Sequence, residues 1–101
     1  MSSLASRRAP LTVRTECGAV VLEVGDALDE RTGRVLVDAV ASAVATTPER
    51  VDIDLTGLTG WTAQGATSLV QCREMCRDLP DGLHYRTGRG PGRDALLAAY
   101  R

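Results

Sequence analysis

Phenylalanine and lysine are missing from this sequence, and aromatic residues of any kind make up only 3% of its 101 positions. A core built without Phe rests on Val, Leu, Ile, Ala and Cys. All twelve basic residues are therefore arginine, set against thirteen acidic ones for a net charge of −1. A field that weak argues against a nucleic-acid binder, which carries a basic patch. The arginine bias is read as base composition rather than function. No apolar run approaches the roughly 20 residues of a membrane-spanning helix, and no direct membrane insertion is expected. MSSLASRRAP has no apolar stretch after its charges, so a secretory signal is not expected either. Three cysteines, an odd number, fit reduced thiols and a cytoplasmic location.

A chain of this length is one domain, burying roughly 60–70% of the surface its unfolded form exposes. That leaves little room for a deep substrate cleft. Residues 1–9 are polar and small and read as a tail, with a single domain over residues 10–101. Residues 10–16 (PLTVRTE) alternate as a half-buried strand, Cys17 and Gly18 read as a turn, and residues 19–24 (AVVLEV) as a second strand, which together predict a hairpin. Asp29 stands where it can cap a helix. Val35, Leu36, Ala39, Val40, Ala43 and Val44 then recur at helical spacing, until Thr46, Thr47 and Pro48 stop the helix. RVDIDL at residues 50–55 alternates strictly, with Val51, Ile53 and Leu55 on one side and Asp52 and Asp54 on the other. A Thr- and Gly-rich loop (56–62) leads to a second helix over residues 63–79, whose buried stripe is Gly65, Leu69, Cys72, Cys76 and Leu79. A turn at Pro80–Gly82, a short strand at 83–86, a loop at 88–92 and a last helix at 93–100 complete the order β-β-α-β-α-β-α. That order predicts an α/β fold: a mixed sheet, its first two strands antiparallel and its later ones parallel, with helices packed on it.

Chemistry is sparse. The one histidine, His84, lies in a strand beside Tyr85 with no evident nucleophile or orienting carboxylate. Cys72 and Cys76 share a helix face, and with Cys17 they fall short of a zinc pattern. They read as small buried hydrophobes, while a redox role for Cys17 stays open. Asp52 and Asp54 read first as alternating exposed charge. Asp54, at the strand end, is the one more suited to a site, since carboxylates there recur in the clefts of α/β proteins. The GRGPG loop with Arg86, Arg89 and Arg93 has glycines suited to a phosphate but lacks the Lys-Ser/Thr of a P-loop. No catalytic residues, metal ligands or cofactor emerge, and the chain is not expected to be an enzyme.

Residues 51–72 carry a resemblance. VDIDLTGLTGWTAQGATSLVQC resembles the signature of the STAS domain, the sulfate transporter and anti-sigma factor antagonist domain. There a strand ends in Asp-Leu-Ser/Thr-Gly-Leu, matched by Asp54–Leu58, and Asp-Ser-Ser-Gly opens the next helix. Gly25 with Leu28-Asp29 resembles the family's Gly-Glu-Leu-Asp step with one extra residue, and GPGRDALLAAY resembles its last helix. The resemblance spans residues 10–100 and implies a bacterial protein-binding module that regulates transcription by signalling to an anti-sigma factor or a related kinase-fold protein. It also implies a docking face of Asp29, Thr59, Gly60, Trp61, Thr62, Ala63 and Gln64. In the family the first Ser of Asp-Ser-Ser-Gly is phosphorylated by the partner kinase. Aligned through Gly65, that position is Ala63, the Asp is Thr62 and the second Ser is Gln64. Ala63 has no hydroxyl, so the usual switch is absent unless Thr62 or Thr59 substitutes. Trp61, the only Trp, is either tucked into the core or an interface anchor. The other role open to such a domain is that of an accessory subunit of a transport or stress-signalling complex.

Overall fold

The computed structural model of the chain describes residues 11–101, and the expected tail at 1–9 lies outside them. Strands β1 (Leu11–Glu16) and β2 (Ala19–Val24) form the hairpin, joined by Cys17 and Gly18. Both turn residues have positive φ, 46° and 85°. Glu16 pairs directly with Ala19, so the loop has two residues, and its left-handed backbone matches the twist of the strands it joins. Strand β3 (Ala27–Leu28) is followed by helix α1 (Glu30–Val44) and strand β4 (Arg50–Asp54). Strand β5 (Gly60–Trp61), helix α2 (Ala63–Met75), strand β6 (Leu83–Arg86) and helix α3 (Pro91–Ala99) follow.

The main sheet runs β1-β2-β4-β6, with β1 antiparallel to β2 and the β2–β4 and β4–β6 pairs parallel. The chain steps across the sheet in one direction through α1 and then α2, and right-handed crossovers put both helices on the same face. Val20, Leu22 and Val24 of β2 and Val51 and Ile53 of β4 meet Leu36 and Val40 of α1 and Leu69 and Cys72 of α2 in one core. Fully burying a side chain of this kind contributes about 1.5–3 kcal/mol, so an aliphatic core is sufficient without Phe.

Several expectations change at the level of individual residues. β1 is an edge strand and is exposed along nearly its whole length, not half-buried; Val13 is 58% exposed. The helices cover β2 and β4, and β1 lies outside them. On α1, Val35 is exposed and Gly33 takes its place in the buried stripe. α2 ends at Met75, with turns through residue 79, and Leu79 is only partly buried. α3 begins at Pro91, two residues earlier than the apolar pattern suggests, with proline in the first turn where its missing N–H costs nothing.

The largest revision concerns Asp52. It is 2% exposed and not a surface charge. β4 is an inner strand, and the sheet face turned away from the helices is roofed by charged side chains. Arg50 Nε donates to Asp52 Oδ1 at 2.8 Å and Arg86 Nη2 to Oδ2 at 2.8 Å. Arg86 also reaches Glu16 at 3.3 Å, while Arg14 bridges Glu16 at 2.9 Å and Glu23 at 3.0 Å. Burial pushes the Asp52 carboxyl up, but the hydrogen bonds and charges of Arg50 and Arg86 together outweigh it and hold the group below its ordinary value. Since the folded value is depressed, the stability this carboxylate lends is fully present above its unfolded value of about 3.9 and is lost as pH falls through the folded one. We expect Asp52→Asn to lower stability by about 2 kcal/mol at neutral pH, and to flatten the loss of stability below about pH 4. Urea unfolding of both proteins across that range is the check.

Candidate functional site

Two short strands bring the candidate docking residues together. β3 and β5 form a separate parallel pair, Ala27 with Gly60 and Leu28 with Trp61. Each is followed at once by a helix, so α1 and α2 begin side by side. Further bonds fasten the junction. Thr59 N donates to the Asp26 carbonyl at 3.0 Å, Thr62 N to the Leu28 carbonyl at 3.0 Å, and the Thr59 hydroxyl to Asp26 Oδ1 at 3.3 Å. Two residues are too few for an alternation pattern, so these strands were not legible in the sequence. The Gly-Asp-Ala-Leu step at 25–28 was the nearest available signal.

Both helix starts are capped from their own sequence. Asp29 Oδ1 accepts from Thr32 N at 2.9 Å, and this backbone bond is the main cause of its lowered pKa. Thr62 Oγ1 accepts from Gly65 N at 3.1 Å. Each cap satisfies one of the four amides that a helix start leaves unpaired. Gly65 lies against the backbone of Leu28 and Asp29, where a β-carbon would overlap the Leu28 carbonyl. Gly33 of α1 meets α2 in a similar way, since a β-carbon there would come within 2.9 Å of Ser68 Oγ. The missing side chains let α2 press against β3 and α1.

Thr59, Thr62, Ala63 and Gln64 are exposed, Gly60 and Asp29 are partly buried, and Trp61 is 37% exposed. The indole is thus neither fully tucked away nor fully free. Ala63 is the first residue of α2 and faces solvent. A groove of about 320 Å³ runs from this point between α1 and α2, past Glu30, Arg34, Gln64, Thr67 and Gln71.

Other candidates fall elsewhere. Asp54 Oδ1 accepts from both Thr56 N (2.9 Å) and the Thr56 hydroxyl (2.6 Å), closing the turn after β4. In the GRGPG loop, Gly88 and Gly90 adopt positive φ, and a β-carbon on Gly92 would strike the Leu55 carbonyl. Those glycines thus serve a turn and a close helix contact. His84 Nε2 lies 3.1 Å from the Asp81 carbonyl. Cys72 and Cys76 are buried, and burial pushes their thiols up to about 12 and about 11, which keeps them protonated at neutral pH. Cys17 is exposed. Among the described residues, no group of three or more His, Cys, Asp or Glu is placed to hold a metal ion, and no helix is long and apolar enough to cross a membrane.

The fold recurs in solved structures. An anti-sigma factor antagonist from Mycobacterium paratuberculosis superposes with a TM-score of 0.68 over 90% of this chain and 93% of that one, at 23% identity. The chain has the STAS fold. The anti-sigma factor antagonist SpoIIAA in its unphosphorylated form matches with a TM-score of 0.67 over 86% of this chain and 81% of its own, at 11% identity. Mglu matches 78% of this chain with a TM-score of 0.61 at 15% identity, although the match covers only 19% of that longer chain. No family model and no curated protein matches the sequence.

Gly65→Ala is expected to lower stability by on the order of 3 kcal/mol, because the clash is with backbone that has no rotamer to change. Thr62→Ala, which removes only a cap, is expected to cost about 1 kcal/mol. Denaturant midpoints of the two variants against the unaltered protein measure both.

Proposed function

We propose that this chain is a protein-binding regulatory module of the anti-sigma factor antagonist kind, acting in the bacterial cytoplasm on transcription through an anti-sigma factor or related kinase-fold partner. The docking face is Asp29 with Thr59, Gly60, Trp61, Thr62, Ala63 and Gln64. The observation that carries this reading is the fold shared along nearly the whole of both chains with an antagonist, combined with an exposed alanine at the first position of α2.

The chemistry of that position sets the regulation. A phosphate there would add about two negative charges at a helix N-terminus and alter how a partner packs on it. Ala63 offers no oxygen to phosphorylate, so the module binds without that off-signal, with Thr62 as the nearest substitute acceptor. Trp61 supplies the large, partly exposed apolar surface that anchors such interfaces.

The test is incubation with the anti-sigma kinase encoded by the same genome and ATP, followed by mass spectrometry. The unaltered chain is expected to take up no phosphate and to keep its partner, whereas Ala63→Ser takes up one phosphate and releases the partner. Phosphate on the unaltered chain would overturn the missing switch, and its absence from a Thr62→Val variant would identify the substitute. Trp61→Ala is expected to weaken the complex about tenfold or more, or about 1.4 kcal/mol, as read by calorimetric titration.

A further inference from the structure

β6 is the outer strand of the sheet on the side opposite β1, and β4 is its one partner among the described residues. Val51 N donates to the Gly82 carbonyl and Leu55 N to the Arg86 carbonyl. Successive residues of a parallel strand bond to opposite sides. His84 and Arg86 therefore turn their peptide groups toward β4, and Leu83 and Tyr85 turn theirs outward. Open edges of this kind are ready to accept another strand unless proline, a bulge or a covering segment prevents it. β6 has no proline, and its register with β4 is unbroken.

The edge borders a groove of about 610 Å³. Its apolar lining is Leu83 and Tyr85 of β6 and Leu96 of α3, and its charged lining includes Arg73 and Arg77 of α2 against a single carboxylate, Asp81. Arg73 makes no ion pair among the described residues, and Arg77 meets Glu74 at 3.2 Å in an exposed pair, a kind that holds little. Unused main-chain groups, an apolar floor and surplus positive charge thus lie along one line. In strand addition, main-chain bonds hold the incoming segment while its alternate side chains enter such a groove.

We propose that the outer edge of β6 is a docking surface for an extended acidic segment of a partner protein. The segment joins the sheet beside β6, bonds to the peptide groups of Leu83 and Tyr85, and sets its carboxylates against Arg73 and Arg77. A second copy of this chain suits the edge poorly, because pairing β6 with β6 would bring His84, Arg86 and the α2 arginines toward their own copies. Arg73 lies ten residues along α2 from Ala63, about 15 Å at helical rise, so this surface is separate from the first turn of α2 and both can be occupied together.

The probe is a fluorophore-labelled, end-blocked octapeptide of alternating Val and Glu, followed by anisotropy and by amide NMR of the nitrogen-15-labelled protein. We expect saturable binding, with the largest amide shifts at Leu83 and Tyr85. The Arg73→Glu, Arg77→Glu double variant is expected to bind about tenfold or more weakly. Both arginines are exposed, so the variant keeps its fold, which circular dichroism verifies. Of two peptides N-methylated at alternate amides, at least one is expected not to bind, and a Val-Lys peptide not to bind at all. Absence of saturable binding, shifts confined to other elements, undiminished binding by the double variant or by both methylated peptides, or self-association through β6 would each overturn the proposal.

Discussion

The approach of Gly65 to the backbone of Leu28 is the constraint on which the rest of the structure depends. At that point α2 meets β3 with no side chain between them. The absence of a β-carbon lets Thr62 N reach the Leu28 carbonyl, and this bond sets β5 beside β3. Two helix starts are thereby locked together, and the exposed loop before α2 is held by backbone bonds at Asp26 and Leu28 together with the side chains of Thr59 and Thr62. A surface used for recognition gains from such support, because a partner then meets groups that are already ordered.

The two faces of the main sheet solve opposite problems with neighbouring residues. Toward the helices, Val51, Ile53 and Leu55 are removed from water by Leu36, Val40 and Leu69. On the other face no helix covers the strands among the described residues, and the sheet closes over itself with charge. Arg14, Arg50 and Arg86 extend their long arms over β2 and β4, and their heads pair with Glu16, Glu23 and Asp52. The aliphatic stems shelter what lies beneath, which is why Val21, on this face between Arg14 and Asp52 in the register, is fully buried. Arginine suits this role because its planar head can bond two carboxylates at once, as Arg86 does.

Much of the fold was legible in the sequence because its longer elements carry strong periods. The RVDIDL strand, the α1 stripe and the hairpin each repeat a pattern over enough residues to be read, and turn residues marked most of their ends. The failures have physical causes. Alternation around Val13 predicts a half-buried strand because it reports a face and not what covers it. Alternation makes Asp52 an exposed charge because it is blind to the two arginines that cover it, Arg50 two residues away and Arg86 thirty-four residues away. β3 and β5 were missed because two-residue strands exist only through each other. For the candidate site, the residues around Thr62 were found by their likeness to a known signature, and the grip of Asp26 on Thr59 was not.

By itself, the sequence determined the order of the longer elements, the aliphatic core, the cap at Asp29, and the absence of a hydroxyl at position 63, since each follows from local spacing or residue chemistry. Only the tertiary structure decided that Asp52 is buried, that Gly65 touches the backbone of a distant strand, and that β6 has an open edge beside two arginines. Those properties arise where segments far apart in the chain meet, and burial and charge there are set by the neighbours that folding brings in.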